Sequence, residues 1–529
     1  MRVEKYSFIH INNSTLNPDP STNFSTFVKS PLSLSPVKKL AGQTLWYGLP
    51  TIASRFLGYL MNLSLPLFFA EPATTADLTQ LYALIPFLNI LFTYGLETAY
   101  FRFAQQTDNH RLYNTLTTSL FFSTTLLSIL LWLSTTQLAS ALGMSAHPEY
   151  IQWMILILVL DTLSALAFAK LRLENRPRRY AFARLSGIVV NVVVVMLCLG
   201  ILPHYAGVDT LNWIRQFHPN GQTGIVYYLI GNVLGSLVTL LVLSNQFKGV
   251  SLSIDPLIWK KVMRYSLPLI LVGMGGIAND MMSRLIYQQV VDLPADQAKH
   301  ELGVFGNIIR LSIAITIAIQ AFRMAAEPFF FRKSSESDAP ATYARIMRYF
   351  VLTCCVLFLL ISLYIDLVGW FFEAIDRSEW TEGIYLVPLF AMGNIFLGIY
   401  YNLSIWYKLT DRNAWGAWIT AIGAAITIGL NIWLIPEYHY LGAALATVSC
   451  YFVMMLLSYA GGQKFYPVPY QHKKILSYLM ISAALVITHR LLVIRFELAW
   501  SGLILATIFM AGFLLFARKE ILSERMNTA

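Results

Sequence analysis

Long apolar segments recur along this 529-residue chain and restrict it to one kind of fold. Each segment holds about 20 or more mostly apolar residues, the length an α-helix needs to cross a bilayer. The composition agrees, since 56% of the residues are hydrophobic and 12% are charged, whereas soluble chains carry about a quarter charged residues. We therefore predict an all-α polytopic membrane protein with about fourteen transmembrane helices. The predicted spans are 40–69, 78–104, 112–134, 149–171, 180–202, 224–246, 262–290, 303–330, 342–370, 383–407, 414–435, 440–462, 474–494 and 498–517.

Three short motifs recur in the same order in the two halves of the chain. The pairs are Tyr47–Pro50 with Tyr265–Pro268, Phe101–Ala104 with Phe322–Ala325, and Arg172–Arg176 with Lys408–Arg412. The offset within the pairs grows slowly from 218 to 236 residues, which indicates an internal duplication. Six spans fall in each half, so we predict two six-helix bundles related by a parallel pseudo-twofold axis, with two extra helices after the repeat.

The duplication sets the predicted domain boundaries. Residues 1–37 are rich in Ser, Thr, Asn and Pro, which is typical of a disordered tail. The N-terminal bundle is predicted over 38–250, the C-terminal bundle over 251–465, and helices 13 and 14 with a short tail over 466–529.

The distribution of Lys and Arg predicts the orientation in the membrane. With both termini and the even-numbered loops on the cytoplasmic side, 29 of the 38 Lys and Arg residues are cytoplasmic and five are external. This asymmetry follows the positive-inside rule and predicts cytoplasmic termini. It also explains the formal net charge of +10 without a nucleic-acid partner.

Five arginines are candidates for substrate binding. Arg55, Arg284 and Arg310 lie deep in predicted spans, where an unpaired charge is costly, so each is expected to face a cavity or a partner. For Arg284 the alternative is an ion pair with Asp280, four residues earlier on the same helix. Arg323 and its counterpart Arg102 lie near cytoplasmic helix ends, where snorkelling of the side chain is the structural alternative.

Three intramembrane acids are candidates for coupling transport to H⁺ or Na⁺: Asp280, Glu97 and Asp161. Each of them is also a possible partner for an arginine. No metal or other cofactor is expected, because the four cysteines lie in apolar runs at spacings that fit neither a zinc site nor a disulfide framework.

Gly and Pro at related places in spans one and seven are candidate hinges, because both residue types permit helix kinks. They are Pro50, Gly58, Pro268 and Gly275. Close packing of helices through small residues is the alternative.

Several segments resemble a known transporter superfamily. Ser54–Gly58 resembles the first-helix pattern of the multidrug/oligosaccharidyl-lipid/polysaccharide exporter superfamily, and Tyr265–Gly276 resembles the seventh helix of its polysaccharide flippases. Two longer motifs, Gln320–Phe330 and Gly398–Leu409, look like Wzx-type members found in Bacteroidota. The resemblance implies two six-helix bundles around a cavity, with helices 13 and 14 beside a groove suited to a polyprenyl tail.

The resemblance also implies a function in the bacterial cytoplasmic membrane. The expected activity is flipping of undecaprenyl-pyrophosphate-linked sugars for lipopolysaccharide or polysaccharide synthesis, without catalysis. The expected partners are the lipid-linked oligosaccharide, membrane lipids, and a glycan polymerase or glycosyltransferases. Lipid II flippases share the first-helix pattern but continue with Arg-Asp, where this chain has Met61 and Asn62.

Other functions stay open at this point. A multidrug/cation antiporter of the same superfamily shares the repeat but usually has twelve spans and favours an acidic cavity. An O-antigen polymerase or ligase generally needs a large external loop, whereas the longest external loop here has about twenty residues, 203–223. A scaffold without transport activity is compatible with the sequence. The chain lacks a Gly-rich Walker loop, which argues against direct ATP hydrolysis.

Overall fold

The structure, a computed structural model, describes residues 53–104, 106–201, 224–334, 336–498 and 500–528, and all regular secondary structure in them is helical. The long helices are α1 (53–63, continued by Leu65–Phe68), α2 (Ala76–Thr93 and Leu96–Phe103), α3 (Asn109–Leu133), α4 (Glu149–Leu173), α5 (Pro177–Val195, continued by Met196–Ile201), α6 (Gly224–Val242), α7 (Pro256–Val290), α8 (Ala295–Lys333), α9 (Ala339–Leu363, continued by Ile365–Ala374), α10 (Val387–Leu403, continued by Ile405–Leu409), α11 and α12 (together Asn413–Phe465), α13 (His472–Phe496) and α14 (Trp500–Thr528). Shorter helical turns are Pro72–Thr75, Thr135–Ala141, Ser244–Phe247, Ser378–Thr381 and Ile384–Leu386.

The described residues form fourteen long helices, and most of them are long and apolar enough to cross a membrane. Twelve helical segments in the described residues meet the length and composition of a span. One of them, Asn413–Phe465, has 53 residues and would measure about 80 Å if straight, more than twice the hydrocarbon thickness. Its backbone breaks at His439, where φ is 52° and ψ is −134°, so it forms the two helices α11 and α12. Helix α1, described from residue 53 to residue 68, is the fourteenth long helix. The predicted all-α polytopic architecture is confirmed.

Local sequence explains where several helices start and break. Helix α7 starts at Pro256, and the Asp255 carboxylate before it accepts hydrogen bonds from the Leu257 and Ile258 backbone N–H groups, an N-cap that satisfies donors left free at a helix start. Helix α2 breaks at Tyr94 and Gly95, which both have positive φ, a conformation that glycine adopts readily. The sequence did not lead us to expect this break.

The helices pack in two groups with contacts between them. Helix α4 packs against α2, α3 and α6, and α5 packs along α6; in the second half, α10 packs against α8, α9 and the α11–α12 pair, and α7 packs along α11–α12. Helix α2 also contacts α7 and α8 of the second half. The domain boundaries at 250 and 465 stay predictions, and the predicted tail 1–37 lies outside the described residues.

Helices α13 and α14 pack on the second half through α9. The Arg490 guanidinium on α13 donates to the Asp366 carboxylate at 2.7 Å. Lys474 and Tyr478 on α13 both donate to Glu520 on α14, each at 2.8 Å. Apolar side chains of α8, α9, α10, α13 and α14 share one buried cluster, so the extra helices belong to the packed structure.

The candidate hinge residues lie in different surroundings. Pro268 and Gly275 lie inside α7, which the structure shows as one continuous helix. A Cβ atom at Gly275 would lie 3.5 Å from the Thr420 methyl carbon of α11, so this glycine is at a helix contact, whereas a Cβ at Gly58 would meet open space. Pro50 lies outside the described residues. The hinge role of these residues stays a prediction.

The topology can be tested with reporters that are active on only one side of the membrane. A reporter fused after Arg215, in a loop outside the described residues, should be active when it requires an external location. The same reporter fused after Arg178, at the start of α5, should be silent because the surrounding cationic loop stays cytoplasmic. Activity at 178 and silence at 215, measured at matched expression, would reverse the predicted orientation.

Candidate functional site

A cavity of about 540 Å³ lies between the two halves of the described structure. Its walls come from α1 and α2 of the first half and from α7, α8, α10 and α12 of the second. Four charged side chains line it: Arg55, Asp280, Arg284 and Arg310. Three positive charges against one negative charge leave the central cavity with a surplus of two positive charges. The structure thus places Arg55, Arg284 and Arg310, the three arginines predicted to lie deep in the membrane, in the lining of one cavity.

Arg310 on α8 is the most deeply buried of these arginines. Its side chain is 8% exposed, and Nη2 donates to the Thr79 hydroxyl of α2 at 2.8 Å. Nη1 has no hydrogen-bond partner, and no carboxylate of the described residues pairs with the guanidinium. A buried guanidinium that lacks a counter-ion is costly in a membrane, so this group is suited to receive an anion.

Arg284 on α7 is held by its own helix. Its Nη2 donates to the Asp280 backbone carbonyl at 3.0 Å and lies 3.6 Å from the Asp280 carboxylate. The ion pair between Arg284 and Asp280, which the sequence analysis gave as the alternative to substrate binding, is therefore present in the structure. Among the described residues, its Nε has no hydrogen-bond partner. One donor of the guanidinium is therefore available to a ligand.

Asp280 is the only acidic residue that lines the central cavity of the described structure. Its side chain is 56% exposed, and the Tyr451 hydroxyl of α12 donates to its Oδ1 at 3.4 Å. The carboxylate is thus accessible from the cavity and only loosely paired with Arg284.

Arg55 on α1 is exposed to the central cavity. It forms no hydrogen bond or ion pair with a residue that the structure describes, and the positive charges of Arg184 and Arg323 act on it. Its guanidinium is therefore available to a ligand in the central cavity.

Uncharged polar residues complete the lining, and three of them, Tyr59, Asn62 and Gln320, were not singled out as site residues from the sequence. On α1 the lining residues recur at spacings of four and three: Arg55, Tyr59 and Asn62. On α8 they recur at spacings of three or four: Arg310, Ile313, Ile317 and Gln320. These spacings place residues on one face of a helix. Extending the helical face of each buried arginine would have found Tyr59, Asn62 and Gln320.

The two remaining candidate arginines lie outside the central lining. Arg323 is on α8, with its guanidinium carbon 4.5 Å from the ring centre of Tyr401, which itself lines the cavity; Glu327 lies 3.8 Å from its Nε. Arg102, at the end of α2, lies 4.2 Å from the ring centre of Tyr265 on α7. Arg323 is thus beside the cavity, whereas Arg102 is at an aromatic contact between α2 and α7.

Glu97 and Asp161 line a second pocket, which lies inside the first half. The Arg172 guanidinium donates to the Glu97 carboxylate at 2.7 Å, and the Ser236 hydroxyl donates to Asp161 Oδ1 at 2.7 Å. The three acids proposed for ion coupling are therefore divided between two cavities. Among the described residues, no group of three or more His, Cys, Asp or Glu side chains could hold a metal ion.

Several contacts between the halves lie near the loops that the sequence predicts to be external. Lys299 Nζ on α8 lies 3.0 Å from the carboxylate of buried Asp77 on α2. The buried Trp380 indole donates to the Phe69 and Ala70 carbonyls at 3.2 and 3.0 Å. These contacts hold α8 and the segment before α10 against the first half.

Comparisons with known proteins agree with this architecture. Residues 78–208 match the family described as "Polysaccharide biosynthesis protein". The comparison with curated proteins found no match. The structure is similar to a lipid II flippase, MurJ, in an inward closed conformation, with a TM-score of 0.68 and 12% identity over 90% of this chain and 99% of that chain.

Transporters of a second kind share the fold. An inward-facing multidrug resistance MATE family transporter matches with a TM-score of 0.58 and 13% identity, covering 79% of this chain and 94% of that one. An outward-facing MATE transporter matches with a TM-score of 0.51 and 12% identity, covering 82% and 96%. These likenesses establish the fold. Together with the matched family, they support the predicted resemblance to a flippase of the multidrug/oligosaccharidyl-lipid/polysaccharide superfamily. The Bacteroidota-like assignment stays a prediction.

Proposed function

We propose that this multi-pass membrane protein flips a polyprenyl-pyrophosphate-linked oligosaccharide across the bacterial cytoplasmic membrane by alternating access. The observation that carries the proposal is the charge of the central cavity, where three arginines meet one carboxylate. Among the residues that the structure describes, Arg310 has neither a carboxylate partner nor a hydrogen-bond partner for Nη1. The match of residues 78–208 to a polysaccharide biosynthesis family supports the glycan part.

A pyrophosphate fits such a cavity for chemical reasons. It presents several acceptor oxygens and a concentrated negative charge, and the planar arginine fork binds phosphate oxygens through two parallel hydrogen bonds. Arg284 and Arg310 each keep one buried donor without a partner. In this proposal the bound pyrophosphate supplies the counter-charge that the cavity lacks.

An apolar pocket beside the central cavity suits the polyprenyl chain. It measures about 360 Å³, is lined by α1, α8 and α9, and meets the central cavity at Tyr59, which lines both. Its walls include Leu63, Ala314, Leu360 and Phe371. A second apolar pocket, of about 350 Å³, lies between α9 and α14. The expected tail groove is thus proposed along α9, with α14 forming part of it.

Coupling to an ion gradient is proposed at Asp280. Its carboxylate is exposed to the central cavity and lies at 3.6 Å from Arg284, so H⁺ or Na⁺ can compete with a loosely held arginine. Binding of the cation there would release Arg284 toward the pyrophosphate. We propose no other cofactor.

Two alternatives are less well supported by the cavity. A cationic drug, the substrate class of a multidrug antiporter, would be repelled by the surplus positive charge. A lipid II flippase shares the pyrophosphate requirement, but the Arg-Asp pair of its first helix is replaced here by buried Met61 and by Asn62, which lines the cavity. We propose cytoplasmic termini and functional partnership with the glycosyltransferases or polymerase that handle the glycan.

Deletion of the gene tests the proposed substrate class. Surface glycan should be lost and its lipid-linked oligosaccharide should accumulate on the cytoplasmic leaflet, because synthesis continues while export stops. Susceptibility to cationic drugs should be unchanged, and plasmid-borne wild-type protein should restore the glycan. Normal surface glycan together with increased accumulation of cationic drugs would identify a drug antiporter instead.

A further inference from the structure

A polar pocket inside the first half has no place in the pyrophosphate site. It measures about 340 Å³ and is walled by α1, α2, α4, α5 and α6. None of the residues that line it also lines the central cavity. We name it the N-half pocket; its polar lining includes Asn89, Glu97, Asp161, Arg184, Asn191 and Ser236. So many polar groups within membrane spans are costly unless they are used.

The side chains of the N-half pocket are positioned by hydrogen bonds. The Asn191 amide nitrogen donates to Asn232 Oδ1 at 2.9 Å, and the Asn232 nitrogen donates to the Tyr228 carbonyl at 2.9 Å. Asp161 Oδ1 accepts from Ser236 at 2.7 Å. Asp161 forms no ion pair within the described chain, and its side chain is exposed to the pocket. One carboxylate oxygen therefore remains available to a ligand.

The mixture of donors and acceptors distinguishes between ligand classes. A sugar hydroxyl both donates and accepts, so it suits a lining of amides, hydroxyls, a carboxylate and a guanidinium. A cation is disfavoured because Arg184 lines the same pocket and its positive charge acts on Asp161, and Glu97 is already paired with Arg172. An acidic sugar would be repelled by the unpaired Asp161 carboxylate. The chemistry selects a neutral, hydroxyl-rich ligand.

The position of the N-half pocket relates it to the central cavity. Consecutive residues of α1 face the two spaces, with Ser54 lining the N-half pocket and Arg55 lining the central cavity. Tyr228 contacts both linings, because its hydroxyl donates to Asn62 of the central lining at 3.2 Å and its backbone carbonyl accepts from Asn232 of the N-half pocket. A sugar attached to a pyrophosphate at Arg55 would lie next to this pocket.

We propose that the N-half pocket binds a neutral sugar of the transported glycan. The free carboxylate oxygen of Asp161 and the Ser236 hydroxyl, whose proton is donated to Asp161, accept hydrogen bonds from the sugar hydroxyls. The inference rests on the proposed flippase function. It gives Asp161 a role other than the ion coupling that the sequence suggests, and it makes this pocket a determinant of which glycan is exported.

Saturation-transfer NMR on the purified full-length protein tests the pocket directly. The probes are methyl glycosides of neutral hexoses and N-acetylhexosamines, with glucuronate as the acidic sugar. At least one neutral glycoside should bind, and Asp161→Ala should weaken it about tenfold or more, the effect of losing a hydrogen bond to a charged group. Ser236→Ala should weaken it less. Thr125→Ala, which removes an exposed hydroxyl of α3 bonded only to its own helix, is the matched control and should bind like wild type.

Several outcomes would overturn the proposal, and one separates it from the proposed function. Absence of binding by every neutral glycoside, equal binding of glucuronate, or unchanged binding in Asp161→Ala would each remove the neutral-sugar assignment. Stabilisation of the protein by sodium chloride but not choline chloride, lost in Asp161→Ala, would identify a cation site. Inorganic pyrophosphate is titrated in parallel: if it fails to bind while a glycoside does, the flippase function fails and the sugar pocket stands.

Discussion

Replacing Arg310 by Ala should abolish most transport while leaving the protein in the membrane. The guanidinium is buried, and no described residue supplies it with a carboxylate partner or pairs with its Nη1. Its removal therefore takes away a ligand group and leaves no buried charge behind. Losing one charge-assisted contact to phosphate costs about 1.5–3 kcal/mol, or roughly 10- to 150-fold in affinity. Arg55→Ala should act in the same direction, because Arg55 lines the same cavity.

The order of activities within a substitution series separates binding from folding. At each site we expect Arg to be best, then Lys, then Gln or Ala, with Glu worst, because Lys keeps the charge but loses the bidentate fork. The measurement is complementation of surface-glycan export, normalised to membrane protein. Arg264→Ala, at an exposed position near the start of the helix that carries Arg284, is the matched control and should export normally. Normal export by well-expressed Arg55→Ala and Arg310→Ala would contradict the binding role.

Arg284 needs a different design because it contacts Asp280. If the pair is only structural, the swapped variant with Asp280→Arg and Arg284→Asp should recover both protein level and export. If Arg284 binds pyrophosphate, the swap should restore the protein level alone. The guanidinium would then lie about one helical turn away from the position at which it contacts the pyrophosphate. The two readings thus predict the same amount of protein and different transport.

Filling the apolar pocket along α9 should block transport almost as strongly as loss of an arginine. In Ala314→Trp the indole would enter the 360 Å³ pocket between α1, α8 and α9 and occupy the space proposed for the polyprenyl chain. The tail would lose an apolar contact area about as large as one big side chain, so export should fall by about tenfold or more. Inorganic pyrophosphate should still bind, because Ala314 is not part of the central lining.

The control for this variant is Ala425→Trp on α11. Ala425 is exposed and lines none of the pockets described above, so export should be normal. Normal export by well-expressed Ala314→Trp would exclude the α9 pocket as the path of the tail. A point variant is preferable to removal of α13 and α14, because these helices share a buried cluster with α8, α9 and α10 and their deletion would uncover it.

The helices of this fold could be predicted from the sequence because bilayer thickness fixes the length of each apolar run. The depth of a charged residue follows from the rise of 1.5 Å per residue, which is why Arg55, Arg284 and Arg310 could be grouped. Depth does not give the direction of a side chain. Arg102 and Arg323 are equivalent in the repeat, yet one contacts Tyr265 of the opposite half and the other contacts Tyr401 of its own half.

The break in α2 and the division of the acids between two cavities depend on tertiary packing. Gly95 lies against α7, where an added Cβ would be 3.3 Å from Leu269, and nothing in its local sequence reports that neighbour. Glu97 and Asp161 come together because α2 and α4 pack side by side. The periodicity of apolar residues predicts each helix, but it does not predict which helices that are distant in sequence pack against each other.

Flipping by purified protein in proteoliposomes tests the central claim most directly. Vesicles carry the lipid-linked oligosaccharide isolated from cells that lack the gene, and an enzyme added outside reports how much substrate has reached the outer leaflet. Wild-type protein should expose the inner-leaflet pool and the Arg55→Ala, Arg310→Ala double variant should not, although both reconstitute equally. Equal exposure by wild-type protein and by the double variant would contradict the account of an arginine-lined cavity that carries the pyrophosphate.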